Sequence, residues 1–184
     1  RVMRAYSESA PPELRPFFVT AMGGHYAGHL QAQHLAGKAS ESFAAAEDTL
    51  FYADGPRALS CLAPVRGIRS QLCEEGLSLA LTEQDALLAL PALELPCSRH
   101  LVVRMEITAP KQTRARLLYM RRNGDVQQET QAAAQAVPPG HSIVYLEAHE
   151  AEMNGFLYLA PGERRGDYLL HSLEVRGVSE DSLW

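Results

Sequence analysis

The sequence predicts a mostly β chain, an antiparallel β-sandwich of jelly-roll type preceded by an N-terminal helical segment. Three observations carry that expectation. Between Leu101 and Val175, five short runs of strand-like composition recur, bounded by Pro, Gly or Asn. In the first run Val103, Met105 and Ile107 share one side of a two-residue period, with Arg104 and Glu106 on the other. That is the alternation of a strand with one face on a core and one in water. Third, 184 residues, 46% of them apolar, suffice for one domain with a sizeable core. Five runs spaced by turn signals describe a sandwich or barrel rather than a βαβ sheet. The expected division is a helical lead-in or linker over 1–44, the sandwich over 45–178 and a tail over 179–184.

Taken in order, Pro11, Pro12 and Pro16 exclude a continuous helix from the first twenty residues. Tyr26 to Ala46, rich in Ala, Leu, Gln and Glu, reads as helix that ends or bends near Gly37. Ser40 or Ser42 is placed to cap a second start. Thr49–Ala53 reads as a short strand stopped by Asp54-Gly55-Pro56, a turn signal. Residues 56–76 read as irregular, with one helical turn over Ser70–Gly76 closed by the glycine. Leu77–Leu81 and Leu87–Leu90 read as strands joined tightly through Thr82–Asp85, and Pro91 and Pro96 mark a loop.

Pro110–Thr113 reads as a turn into a strand from Arg114 to Arg121, and Asn123-Gly124 as a hairpin. Val126–Val137 is polar and then Ala-rich, either a ragged strand or a loop with a helical turn, ended by Pro138-Pro139-Gly140. His141–Ala148, Phe156–Leu159 and Tyr168–Val175 read as strands, separated by Asn154-Gly155 and by Pro161–Gly166.

A formal charge of -5 argues against a nucleic-acid binder. No apolar run approaches the ~20 residues of a transmembrane helix. The N-terminus lacks the pattern of a signal peptide, and Arg in first position reads as a processed product or, the favoured reading, a piece cut from something larger. Cys61, Cys73 and Cys97 show no CxxC spacing, so zinc is not expected. They read as partly buried reduced thiols or, in an oxidising compartment, as a Cys61–Cys73 bridge with one thiol over.

Gly76 to Val178 resembles the β-sandwich domains that accompany bacterial cell-surface polysaccharide glycosyltransferases, including rhamnan-synthesis proteins. Three segments carry the likeness. Leu77–Pro91 is similar to an opening strand pair with Asp-Pro at its turn. Leu101–Tyr119 is similar to an apolar strand, a Pro turn and a strand ending in an aromatic. Gly155-Phe156-Leu157-Tyr158-Leu159-Ala160-Pro161-Gly162 through Gly166-Asp167-Tyr168 is similar to a closing Leu-x-Leu-Asp-Pro-Gly … Gly-x-Tyr segment. Ala86 stands where the family has Pro, and Ala160 where it has Asp. The resemblance implies a galactose-binding or carbohydrate-binding jelly roll, whose motif is structural punctuation rather than catalytic equipment.

Lys111, Arg114, Arg116, Arg121 and Arg122 lie within twelve residues that hold no acid. Arg114 and Arg116 would point the same way from a strand. Their guanidinium forks suit the oxyanions of an acidic sugar, a phosphate or a lipid headgroup. Against that, nine acids match nine bases between Leu101 and Val178, so cross-strand ion pairs could absorb the strip. Tyr119, Tyr145, Tyr158 and Tyr168 fall one per strand, either as a platform for sugar rings or as half-buried wall residues. The candidate ligand-binding residues are Arg114, Arg116, Tyr119, Arg121 and Tyr145.

No catalytic constellation is evident: there is no Gly-x-Ser-x-Gly elbow, phosphate loop or His-Glu-x-x-His. Glu147 and His149 form the one carboxylate–histidine pair with acid/base potential, on a loop rim. His25, His29 and His34 carry helical spacing, read as a solvated or partner-facing helix or as two ligands of a metal whose third is missing. No metal or cofactor is implied.

The leading expectation is a non-catalytic carbohydrate-binding accessory module of a bacterial polysaccharide-assembly protein. It would hold a glycan or lipid-linked saccharide near an enzyme carried elsewhere in the chain, in the cytoplasm or at the inner membrane face through a missing domain. The alternatives are a structural domain that meets another domain or a second copy, and an enzyme on the same sandwich using Glu147 and His149.

Overall fold

The computed structural model describes residues 36–178. Residues 36–45 are helical. Then follow β1 (Asp48–Asp54), α1 (Gly55–Leu59), β2 (Ala63–Arg66), β3 (Ile68–Cys73), β4 (Gly76–Leu81) and β5 (Leu87–Ala89). The chain continues as β6 (His100–Ala109), β7 (Thr113–Asn123), β8 (Val126–Val137), β9 (Gly140–His149), β10 (Leu157–Ala160) and β11 (Gly166–Gly177). One sheet has the order β3-β4-β11-β6-β9, with β1 also on β11; the other runs β2-β5-β10-β7-β8. Every pairing is antiparallel. The chain is a mostly β, jelly-roll-type sandwich with a helical segment ahead of it.

Nested pairing builds the sandwich. β7 and β8 form a hairpin in the five-stranded sheet, while β6 and β9, which flank them in sequence, pair in the six-stranded one. One long double strand is thus folded across both sheets. Inward side chains from each meet in a single interior that includes Leu79, Leu101, Met105, Ile107, Leu117, Leu146, Leu157, Leu159 and Leu170. Each such side chain contributes roughly 1.5–3 kcal/mol on burial. On β6 the expected alternation is present, Met105 and Ile107 fully buried and Arg104 and Glu106 half-buried on the far side. Val102 breaks it because Phe43 and Ala46 of the helical approach, with Val178, cover it on the outer face.

Several sequence expectations are corrected. The helical run passes through Gly37, Ser40 and Ser42, so neither serine caps a second start. Packing of Phe43 and Ala46 outweighs the local preference of serine for a cap. Asp54-Gly55-Pro56 opens α1 instead of ending in a loop, with Pro56 in the first turn, where its missing N–H costs nothing. Residues 56–76 hold two strands. β3 lies at a sheet edge and is exposed from Arg69 onward, so it carries no apolar period to read. Ser70–Gly76 is a β3–β4 hairpin, Cys73 opposite Gly76. The two expected strands are β4 (Gly76–Leu81) and β5 (Leu87–Ala89), but they do not pair, and Thr82–Asp85 carries the chain from one sheet to the other.

Six strands lie between Leu101 and Val175, one more than the recurring runs suggested. The extra one is β8, whose outward face is polar or Ala and which pairs with β7 along its length. At its tip Asn123 is the last paired residue, and Gly124 alone takes positive φ, 63°. Cys61, Cys73 and Cys97 are all unbridged and exposed.

Gly76 is fixed by a close approach. Its φ is 146°, and a Cβ there would stand 2.2 Å from the Leu170 carbonyl oxygen. Gly76→Ala is therefore expected to cost about 1–3 kcal/mol, read as a lower urea midpoint at unchanged slope. Gly124→Ala, with open space around it, is expected to cost less in the same assay.

Candidate functional site

The sequence's basic strip divides by strand parity. Thr113, Ala115, Leu117 and Tyr119 of β7 face the interior, so Arg114 and Arg116 point out of the five-stranded sheet. Both reach Glu163, in the β10–β11 loop. Arg114 donates to Glu163 Oε1 from Nε at 3.2 Å and from Nη2 at 3.1 Å. Arg116 Nε stands 3.5 Å from the same oxygen, within ion-pair range but without hydrogen-bond geometry. These side chains line an open cleft of about 710 Å3, completed by Gln84, Asp85, Gln112, Thr113 and Arg164.

The loop that supplies Glu163 and Arg164 is pinned at several points. The Glu163 N–H donates to Thr113 Oγ1 at 2.8 Å, which ties the loop to the start of β7. Tyr168 Oη donates to the Arg164 carbonyl at 2.7 Å, and its ring lies against Gly162, where a Cβ would be 2.5 Å from Oη. The Pro-Gly … Gly-x-Tyr segment noted in the sequence is thus the device that fixes this loop. Ala160, one of its departures, is fully buried beside Leu87 and Leu118 on the sheet's outer face.

A second charged element spans that face. Arg66 of edge strand β2 pairs through both terminal nitrogens with Glu129 of the opposite edge strand β8; Nη2 to Oε2 is 2.7 Å. In a flat sheet, four spacings of ~4.8 Å would hold these edges about 19 Å apart, beyond the joint reach of the two side chains. The outer face is therefore concave. Arg66 Nε also donates to the Asp85 carbonyl at 2.8 Å and lies 3.3 Å from its carboxylate. The hydrogen bonds from Arg66 hold the Glu129 carboxyl below its usual range, against an opposing push from burial.

The five candidate residues do not share one surface. Arg114 and Arg116 stand together in the cleft. Tyr119, three residues on from Arg116 and so on the opposite side of β7, is buried in the core at 2% exposure. Arg121 is five residues on, near the hairpin end, and pairs with Glu152 at 2.6 Å. Tyr145 belongs to the other sheet and packs edge-on against Phe43, centroids 5.4 Å apart. Tyr168 is buried, and Tyr158 is half-buried in the Leu87–Leu118–Ala160 cluster. The four tyrosines thus make no common platform.

Glu147 and His149 lie at the end of β9 and meet a residue the sequence did not suggest. Buried His100 bonds Glu147 Oε1 through Nε2 at 2.8 Å and stacks on His149, centroids 4.9 Å apart. On the same outer face His141 Nε2 lies 2.8 Å from Glu106. Burial works to raise the Glu106 carboxyl, but hydrogen bonds from His141 and Ser172 outweigh it and leave it lowered. Among the described residues no group of three or more His, Cys, Asp or Glu is placed to hold a metal ion. His25, His29 and His34 lie outside the described residues. Among the described residues no helix is long and apolar enough to cross a membrane.

Arg66, Gln84, Asp85, Gln112, Glu129, Glu163 and Arg164 were missed as site residues. Arg66 and Glu129 are 63 positions apart, and Arg114 and Glu163 are 49, so no local signal joins them. The parity of β7 was readable, and by itself separates Tyr119 and Arg121 from Arg114 and Arg116.

No protein-family profile and no curated protein matches the sequence. Solved structures do match in fold. A Clostridium thermocellum endo-1,4-β-D-xylanase 10B fragment, with CBM22-1 and GH10 modules and xylohexaose, superposes with TM-score 0.59 at 6% identity. That match covers 73% of this chain and 29% of the xylanase chain. A carbohydrate-binding module of Cellvibrio mixtus lichenase 5A, in complex with cellotriose, gives 0.51 at 8% identity over 71% of this chain and 99% of its own. A family 29 carbohydrate-binding module from Piromyces equi gives 0.51 at 7% identity, over 72% and 91%. Each is a likeness of fold.

The Arg66–Glu129 pair sets an expectation for acid. A carboxyl lowered in the folded state stabilises fully above its unfolded pKa, near 4.3, and loses that contribution as pH falls through the lowered value. With both side chains about a third exposed, screening limits the effect at pH 7 to about 0.5–1 kcal/mol. Glu129→Gln is expected to lower the urea midpoint at neutral pH, and the gap from wild type is expected to close below about pH 4.

Proposed function

We propose that this chain is a non-catalytic carbohydrate-binding module and that the Arg114–Glu163 cleft holds the glycan. The observation that carries the proposal is the chemistry of the cleft wall. Gln84, Asp85, Gln112, Thr113, Arg114, Arg116, Glu163 and Arg164 converge on one opening. Amides, carboxylates and guanidiniums together supply donors and acceptors for neighbouring sugar hydroxyls. The loop carrying Glu163 is held before any ligand arrives, which spares part of the ordering cost of binding. The fold shared with modules solved beside xylohexaose and cellotriose supports the same reading.

The finer setting belongs to the proposal too. The likeness of Gly76–Val178 to domains of polysaccharide-assembly proteins supports an accessory role beside a glycosyltransferase. The module would work on the cytoplasmic side, held at the inner membrane face through another part of the protein, and would retain a glycan or lipid-linked saccharide there.

Titration calorimetry against oligosaccharides chosen from a glycan array tests this reading. Saturable binding is expected, and Arg114→Ala should weaken it about tenfold or more, the loss of a charge-assisted hydrogen bond. Arg122→Ala, near the far end of β7, should leave affinity within twofold or so of wild type. Absence of binding across the array would overturn the proposal.

A further inference from the structure

We infer that the saccharide taken by the Arg114 cleft is acidic, with its carboxylate or sulfate held by Arg114 and Arg116. This rests on the glycan reading and adds the ligand's charge.

Among the described residues, three arginines, Arg114, Arg116 and Arg164, line the opening. Of the two acids there, Asp85 is already engaged by Arg66 at 3.3 Å. The remaining acid, Glu163, is divided between Arg114 and Arg116, and one oxygen serves both. Oε1 accepts Nε and Nη2 of Arg114 and faces Nε of Arg116 at 3.5 Å. A guanidinium fork matches two oxygens of an oxyanion in parallel, and neither arginine has that match here. Arg116 Nε is buried and has no hydrogen-bond partner among the described residues. A buried donor left unpaired costs free energy that an incoming oxyanion would recover. Among the described residues the lining includes no aromatic ring, so these residues do not supply stacking, a common grip on neutral sugars. Glu163 therefore acts as an internal stand-in for the ligand's acidic group, competing for the same forks.

Calorimetry at low salt with the full chain tests this using three probes. They are oligogalacturonate, the same oligomer with its carboxylates reduced to hydroxymethyl groups, and a sulfated galactan oligosaccharide. At least one acidic probe is expected to bind about tenfold or more tighter than the reduced oligomer. Whether it is the uronate or the sulfate tells carboxylate from sulfate ester. That advantage is expected to shrink as NaCl approaches ~1 M, where the Debye length is about 3 Å. Arg116→Gln should abolish the advantage without moving the thermal midpoint by more than a few degrees.

Glu163→Gln supplies a test of opposite sign. Removing the competing carboxylate should tighten the acidic probe several-fold, which a merely structural role for Glu163 would not do. Equal binding of reduced and acidic probes, or weaker acidic binding by Glu163→Gln, would overturn the inference and leave the glycan reading standing. Failure of all three probes, with binding elsewhere on a neutral array, would overturn the inference alone. Failure on the whole array removes both.

Discussion

Two sheets share one apolar interior, and each time the chain crosses between them it must keep the same side of the strand turned inward. That constraint organises the rest of the molecule. β6 and β9 lie in one sheet, β7 and β8 in the other, and the inner sides of all four meet the same core. A slip of one residue on β6, β7 or β9 would turn Leu or Met to water and Arg or Glu to the interior. Register on β7 also decides which side chains are free for other work. Leu117 and Tyr119 are committed to packing, and Arg114 and Arg116 are left to the outer face. The candidate site is what remains when the core has taken its share.

The strands with one wet face and one dry face were legible in the sequence. β6 declares itself through Val103, Met105 and Ile107, and β4 through Leu77, Leu79 and Leu81. Where a strand has little to bury, the signal vanishes. β3 lies at a sheet edge and shows only Ile68 out of water in part, and β8 carries polar and Ala residues outward. Both are defined by backbone pairing to a neighbour, which side-chain periodicity does not encode. The partition into sheets was likewise hidden. Thr82–Asp85 and Pro110–Thr113 have the composition of hairpin turns, yet each carries the chain across the sandwich.

The site was half legible for a related reason. Arg114 and Arg116 stood out because they are two apart on a strand with no acid nearby in sequence. Their partner Glu163 arrives from a loop 49 residues later, placed by Thr113 and Tyr168. The bland expectation for the strip is absorption by cross-strand ion pairs; Arg121 is indeed paired, but with Glu152 from the turn after β9 rather than from a strand. At Arg114 and Arg116 absorption is incomplete, since a single carboxylate oxygen is divided between two guanidiniums.

β11 has an unusual place in the pairing. It bonds β4 and β6 on its two sides and, further along, β1, the first strand of the sandwich. A chain made from its N-terminus onward therefore brings out β1 and β4 long before the strand that unites them. Until Gly166–Gly177 leaves the ribosome, β1 has no neighbour in its sheet, and β6 lacks the partner on one side. Closure of this sandwich therefore waits for its last strand, and the unpaired edges of β4 and β6 must be kept apart from other chains until β11 arrives.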